Sequence, residues 1–156
     1  MSAPPGRPRR LHRYRFRNVW LLSAPPTVVY AVLGRAESYP GWWPQVRAVA
    51  PLEGGGGAAR FRSFLPYELA VVVRETVRDP GAGVLEIAMG GDLDGWARWT
   101  VVPGESGTRA VFEQDVEVRK PALRRWAWLG RPLFRINHAL MMRAGRRGLA
   151  AWLARG

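Results

Sequence analysis

Apolar and polar residues alternate in the first patterned stretch of the chain, from residue 12 to residue 22. Its even positions are mostly aromatic or aliphatic, whereas Arg13, Arg15 and Arg17 occupy odd positions. This alternation is typical of a strand with one buried face. The following Ser23-Ala24-Pro25-Pro26 predicts a helix start, because proline is tolerated in a helix's first turn, and Gly34 predicts the helix end.

A second short helical segment, 36–43, and a series of strands follow. The prolines of Tyr39-Pro40-Gly41-Trp42-Trp43-Pro44 limit this segment to one or two turns before a tight corner. Alternating segments then recur between turn signals about 8–12 residues apart, which indicates one antiparallel sheet. The remaining strands are predicted at 45–52, 58–64, 67–78, 84–89, 96–102 and 108–118.

The alternation also predicts which side chains of the sheet face inward. Two polar residues, Glu75 and Gln114, fall on the inward phase, and a bulge in either strand would reverse the assignment. Asp115 and its charged neighbours on the last strand are predicted to face solvent. The apolar inward residues are Leu69, Val71, Val73, Leu85, Ile87, Met89, Ala97, Trp99, Val101, Ala110, Phe112, Val116 and Val118.

Beyond Pro121 the apolar spacing becomes helical. Gly130-Arg131-Pro132 predicts a break between a short helix at 122–129 and a long one at about 133–154. The inward stripe of the long helix consists of Phe134, Asn137, His138, Met141, Met142, Gly145, Leu149 and Trp152. This order of elements predicts an α+β fold in which an antiparallel sheet curls around one long helix. We expect a flexible basic arm at 1–10 and a single domain at 11–156.

Composition narrows the possible chemistry. A chain of 156 residues with 47% hydrophobic residues and 8 tryptophans has ample material for a core, so disorder of the whole chain is excluded. The absence of cysteine excludes disulfides, thiol nucleophiles and cysteine-based metal sites. His12 and His138 are far apart and no H-E-x-x-H motif is present, so no metal site or catalytic triad is predicted. The spacing of Gly54, Gly56 and Ala59 fits a hairpin turn better than a phosphate loop, and no cofactor is predicted.

The net charge of +12 is distributed unevenly. All 12 acidic residues lie within 37–117, whereas 118–156 holds ten basic residues and none that is acidic. Two interpretations stay open: the basic ends bind an acidic partner, namely RNA, the ribosome or an anionic membrane, or they reflect coding bias and a solvated helix face. No apolar stretch reaches the ~20 residues of a membrane span and no secretory signal is apparent, so we expect a cytoplasmic protein.

Candidate functional residues come from the inward faces. Four polar residues are candidates for acid–base chemistry: His138, Asn137, Gln114 and Glu75. A lone histidine on such a stripe is more often a hydrogen-bonded structural residue than a catalyst. The apolar candidates for ligand binding are Trp42, Trp43, Val71, Val73, Ile87, Met89, Trp99, Phe112, Phe134 and Met141.

A resemblance to a known family is carried by Trp20-Leu21-Leu22-Ser23-Ala24-Pro25-Pro26, by Tyr39-Pro40-Gly41-Trp42-Trp43-Pro44, by Gly91-Asp92-Leu93-Asp94-Gly95 with Trp99, by Gly107-Thr108, and by Arg131-Pro132-Leu133-Phe134 with Asn137, His138, Met142, Gly145, Gly148 and Leu149. In these motifs the chain resembles the SRPBCC superfamily of START/Bet v 1-like helix-grip proteins, and within it the polyketide cyclase/dehydrase-like group. The resemblance implies a seven-stranded sheet gripping a long C-terminal helix, two short helices after the first strand, and a deep cavity for an apolar molecule.

Three functions follow as hypotheses. The first is binding of a lipid, polyketide or quinone-like molecule between sheet and helix, in a cavity above about 300 Å³. The second is a polyketide aromatase/cyclase or dehydratase that uses polar residues of the cavity, and the third is binding of an acidic partner. Whether the protein is an enzyme, which ligand it takes and its oligomeric state all stay open at this point.

Overall fold

Seven antiparallel strands form one sheet in the computed structural model, which describes residues 12–62, 68–121 and 127–155. The strands are β1 (Arg13–Leu22), β2 (Val46–Pro51), β3 (Gly57–Arg62), β4 (Glu68–Asp79), β5 (Val84–Gly91), β6 (Leu93–Gly104) and β7 (Gly107–Val118). Their order is β1-β7-β6-β5-β4-β3-β2, so β1 and β2 are the two edges. The predicted arm at 1–10 lies outside the described residues.

Helices complete the α+β helix-grip architecture that the pattern predicted. Helix α1 (Pro26–Leu33) is followed by a 3-10 turn (Ala36–Ser38), by α2 (Tyr39–Trp42) and by the C-terminal helix α3 (Ala127–Ala154). Pro25 is the extended residue before α1 and Pro26 lies in the first turn, as the double proline indicated. The prediction of two short helices after strand 1 and one long C-terminal helix is confirmed.

The predicted break at Gly130-Arg131-Pro132 is wrong. Helix α3 runs from Ala127 to Ala154 with Pro132 inside it. A proline removes one backbone hydrogen bond, that from its own nitrogen to the carbonyl four residues earlier, and the other bonds of the helix remain. Buried residues from Phe134 to Leu149 fix the helix against the sheet, and this packing outweighs the local preference for a break.

Two glycines of α3 let the helix approach the corner formed by α2. A Cβ built on Gly148 would overlap the carbonyl oxygen of Trp42, and one built on Gly145 would lie 2.6 Å from the Trp43 ring. The Trp43 indole nitrogen donates to the Met141 carbonyl at 2.9 Å. Because both positions are glycine, α3 can lie in direct contact with the α2 corner, which holds Trp42 and Trp43.

Asp115 is buried, although the alternation predicted that it would face solvent. It lies on the outer face of the sheet, directly opposite Arg15 on β1, and is only 7% exposed because arginines cover it. Arg13 donates to its two carboxylate oxygens at 2.7 and 2.6 Å, and Arg15 donates at 2.9 Å. Hydrogen bonds from Arg13 lower the pKa of Asp115 below its ordinary value despite its burial. Part of the basic N-terminal charge is thus neutralised within the sheet.

Replacing Asp115 by asparagine is expected to lower the free energy of unfolding by about 1–2 kcal/mol at neutral pH, because a bidentate charge-assisted pair is lost. Urea-induced unfolding measures the effect. Glu113→Gln is the matched control: Glu113 lies on the same strand opposite Arg17 but forms no ion pair among the described residues. Its expected effect is within about 0.5 kcal/mol. Equal effects of the two substitutions would contradict the role of the Arg13–Asp115 pair.

Candidate functional site

A cavity lies between the concave face of the sheet and the N-terminal half of α3. All seven strands contribute to its wall. Among the predicted ligand-binding residues, those that line it are Trp43, Val73, Ile87, Met89, Trp99, Phe112, Phe134 and Met141. Trp42 and Val71 are buried but lie outside the wall; the Trp42 ring packs against Trp20 and Trp43.

The cavity has a volume of about 200 Å³, which is below the 300 Å³ or so that the ligand-binding hypothesis required and counts against a ligand as large as a lipid or polyketide. Aromatic rings occupy the space: Trp99 packs against Phe112 with ring centroids 4.9 Å apart and against Trp20 at 4.7 Å. A cavity of about 150 Å³ in a protein core is known to hold one benzene molecule. The volume therefore suits a molecule of one or two rings.

His138 and Gln114 form a hydrogen-bonded pair in this wall. His138 Nε2 lies 3.0 Å from Gln114 Oε1, and Gln114 Nε2 contacts the Met89 sulfur at 3.4 Å. Because an amide oxygen only accepts, a neutral imidazole must carry its proton on Nε2 in this arrangement. The imidazole also stacks on Phe16, with centroids 3.5 Å apart. Burial lowers the pKa of His138 from 6.5 to about 4, so the ring is neutral at pH 7.

Asn137 is the polar residue of the wall with the least satisfied hydrogen bonding. It is 5% exposed, and its Oδ1 is buried with no hydrogen-bond partner among the described residues. Its Nδ2 has only the Met141 sulfur, at 4.0 Å. A buried unpaired amide oxygen costs about 1–3 kcal/mol. A hydrogen-bond donor that reached this oxygen would relieve that penalty.

Glu75 lies apart from the other three polar candidates, at the mouth of the cavity. It follows the inward phase of β4 but is exposed there, just before a register shift between Glu75 and Val77. Arg78 donates to both carboxylate oxygens, at 2.8 and 2.7 Å, and also to the Gly34 carbonyl at 2.8 Å. The hydrogen bonds from Arg78 lower the pKa of Glu75. The structure therefore groups His138, Gln114 and Asn137, while Glu75 is bound to Arg78 at the rim.

Several residues of the wall were not among the sequence candidates. Phe16 and Phe61 line the cavity, and the alternation of β1 was a usable signal for Phe16. Arg78 also lies at the mouth. Its position depends on the register shift in β4, which cannot be predicted from the residue types in the strand. Tyr39 is half-buried, lines the cavity and donates to the Leu33 carbonyl at 2.7 Å; desolvation of the phenol raises its pKa.

The described ranges hold neither a metal-binding cluster nor a membrane-spanning helix. No group of three or more histidine, cysteine or acidic side chains capable of holding a metal ion occurs among residues 12–62, 68–121 and 127–155. Within the same ranges, no helix has the length and apolar character needed to cross a bilayer.

Comparison with known proteins gives a family match and several similar folds. The profile of the family described as polyketide cyclase / dehydrase and lipid transport matches residues 22–141. The crystal structure of Zhui aromatase/cyclase from Streptomyces sp. R1128 has a TM-score of 0.76 at 15% identity, covering 92% of this chain and 95% of that one. A protein from Thermus thermophilus has a TM-score of 0.68 at 18% identity, with coverages of 89% and 97%.

A third similar structure is the di-domain ARO/CYC BexL from the BE-7585A biosynthetic pathway. Its TM-score is 0.67 at 17% identity, and the match covers 92% of this chain but 50% of that one. No curated protein sequence matches this chain significantly. At these identities the structural likeness concerns the fold, and the fold alone does not determine the reaction.

Proposed function

Because this chain belongs to the polyketide cyclase/dehydrase and lipid transport family, we propose that it binds a small apolar molecule in the cavity between its sheet and α3. The family description includes both catalysts and carriers, so the choice between them depends on the site. The cavity wall is mainly aliphatic and aromatic, with a few polar groups that converge from β7 and α3. Such a wall is typical of small-molecule sites, in which apolar area gives affinity and a few polar groups give orientation.

The observation that carries the proposal is the unpaired Oδ1 of Asn137. A ligand hydroxyl that donates to this oxygen would remove the penalty of a buried, unsatisfied acceptor. With a cavity of about 200 Å³, the best fit is a molecule of one or two rings that carries a hydroxyl group. A longer lipid, polyketide or quinone would require side chains such as Met141 to move.

Binding is favoured over proton-transfer catalysis by the state of His138. A general base works best when its pKa is near the operating pH, and burial lowers the pKa of His138 to about 4. The proton on its Nε2 is already directed at Gln114. His138 and Gln114 therefore act as a neutral hydrogen-bonded pair that shapes the wall.

An aromatase/cyclase is the second candidate function. It is favoured by the convergence of Asn137, His138 and Gln114 on one cavity and by the fold likeness to Zhui aromatase/cyclase. Its chemistry would rest on the cavity holding a reactive chain in a folded conformation, with neutral groups orienting its carbonyl oxygens. This candidate requires turnover of a linear poly-β-ketone, which the binding function does not.

Two-ring probes test the proposed site directly. 2-Naphthol is expected to bind about fivefold or more tightly than naphthalene, because only its hydroxyl can donate to Asn137 Oδ1. Quenching or shift of tryptophan fluorescence measures both affinities, since Trp43 and Trp99 line the cavity. Native mass spectrometry of protein purified from its own host then identifies any bound natural molecule.

Asn137→Leu is expected to abolish the preference for 2-naphthol while retaining the binding of naphthalene. Gln45→Leu is the matched control, because Gln45 Oε1 is also buried and unpaired but Gln45 lies outside the cavity wall. The control should leave the preference unchanged. If naphthalene and 2-naphthol bind equally to the unmodified protein, or neither binds, the proposed site is wrong.

A further inference from the structure

The outer face of α3 carries large apolar side chains in solvent. Leu133, Ile136 and Leu140 are 50%, 52% and 45% exposed. Their spacing of three and four residues places them on one face of the helix, opposite the side on which Phe134 and Met142 are buried against the cavity. The structure thus leaves an apolar stripe on the outside of the cavity wall.

Arginines continue this stripe toward the C-terminus. Arg143, Arg146, Arg147 and Arg155 are exposed and form no ion pair among the described residues. By contrast, Arg13, Arg78 and Arg98 on the sheet each pair with a carboxylate. No acidic residue occurs from 118 to 156. The described part of α3 therefore carries these arginines without any acidic residue on the same helix, whereas the sheet mixes arginines with acidic side chains.

We propose that the outer face of α3, formed by Leu133, Ile136, Leu140, Arg143 and Arg147, docks on the surface of an anionic lipid bilayer. A helix that combines apolar side chains with arginines and lacks acids is typical of segments that lie in the bilayer interface. The apolar side chains enter the boundary between headgroups and acyl chains, and the arginines contact lipid phosphates.

An anionic bilayer accounts for both the apolar side chains and the arginines of this surface. A nucleic acid would contact the arginines but leave the leucine and isoleucine side chains without an apolar partner. A second copy of the chain would bury the apolar stripe but bring like charges together. Only an anionic bilayer offers an apolar layer beneath a negatively charged one.

Docking would also place the cavity against the lipid. The segment from 133 to 141 presents Leu133, Ile136 and Leu140 outward, and its inner face contributes Phe134 and Met141 to the wall. An apolar ligand would then have to pass only one helix between the bilayer and the cavity. This consequence rests on the proposed binding function, whereas the docking itself does not.

Sedimentation with lipid vesicles, without any added ligand, tests the docking. The full chain is expected to bind vesicles of phosphatidylcholine containing about one-third phosphatidylglycerol, to bind pure phosphatidylcholine weakly, and to lose affinity as salt rises toward ~0.15 M. Arg143→Glu with Arg147→Glu is expected to weaken binding by about tenfold or more. Ile136→Gln with Leu140→Gln is expected to weaken it also in low salt, where charge attraction is strongest.

Two control variants distinguish the helix face from general surface properties. Arg109→Glu changes an exposed arginine of β7, and Val72→Gln changes a side chain of β4 that is 51% exposed. Both should retain vesicle binding, and circular dichroism checks that every variant is folded. The proposal is overturned if anionic vesicles are not bound, if the controls lose as much affinity as the helix variants, or if the α3 residues instead mediate RNA binding or self-association. The vesicle experiment contains no added ligand, so its result does not depend on whether 2-naphthol binds in the cavity.

Discussion

Replacing Gly148 by alanine is expected to destabilise the folded protein by about 3 kcal/mol, as overpacking at a rigid contact does. The added methyl group would overlap the carbonyl oxygen of Trp42. A backbone atom cannot turn aside as the end of a side chain can, so α3 would have to move away from the α2 corner. That movement would also disturb the contacts of Trp43 and Leu149, which are buried in the same layer. Thermal and urea unfolding measure the loss.

Gly130→Ala is the matched control on the same helix. A Cβ at Gly130 would have no heavy atom within 4 Å, so alanine is expected to be neutral or to stabilise the protein by up to about 1 kcal/mol through its higher helix propensity. If Gly148→Ala is as stable as Gly130→Ala, the close contact between α3 and Trp42 is not a feature of the folded protein.

Acidification from pH 6.5 to about pH 4 is expected to lower the free energy of unfolding by up to about 3 kcal/mol through His138 alone. Burial lowers the pKa of His138 from 6.5 to about 4 in the folded state. Between these two pKa values the imidazole binds a proton in the unfolded chain but not in the folded protein, so falling pH favours unfolding. Above pH 6.5 the ring is neutral in both states and contributes no pH dependence.

Urea unfolding at several pH values between 7 and 4.5 isolates this contribution when the protein is compared with His138→Gln. The variant should show a much shallower decline over this interval. The pKa values of Asp115 and Glu75 are lowered by their arginine partners, so their stabilising contribution is present above their unfolded pKa values and is lost only as pH falls through the lower folded values. Both proteins retain these carboxylates. Parallel declines in the two proteins would show that His138 is not buried as a neutral ring.

Most of the fold could be predicted from the sequence because the strand alternation and the helical spacing indicate the same architecture. The alternation from Arg13 to Leu22 and the turn signals of the later segments predicted a continuous antiparallel sheet, and all of its strands are present. The helical spacing from Phe134 to Leu149 predicted the helix that the sheet grips. The break predicted at Pro132 is absent because the buried residues that follow it hold the helix against the sheet and keep it continuous.

The site was predicted less completely than the fold. The helical spacing predicted that Asn137 and His138 face the sheet, and the alternation of β7 predicted that Gln114 faces inward. All three residues line the cavity. Glu75 and Arg78 depend on a register shift in β4, and sequence spacing does not reveal such a shift. Burial of Asp115 arises from arginines on a neighbouring strand, 100 and 102 residues away in the chain. The cavity volume depends on how aromatic rings pack, which residue types alone do not determine.

The edge position of β1 has a consequence for the behaviour of concentrated protein. An unpaired strand edge is a template on which other chains can add and start an aggregate. Here the edge strand bears Arg13, Arg15 and Arg17 at alternate positions, and the Arg13 carbonyl already accepts a hydrogen bond from Arg131. Two such edges brought together would juxtapose guanidinium groups. Charged residues on an edge strand are of the type that opposes such pairing, and the arginines of β1 fit that description.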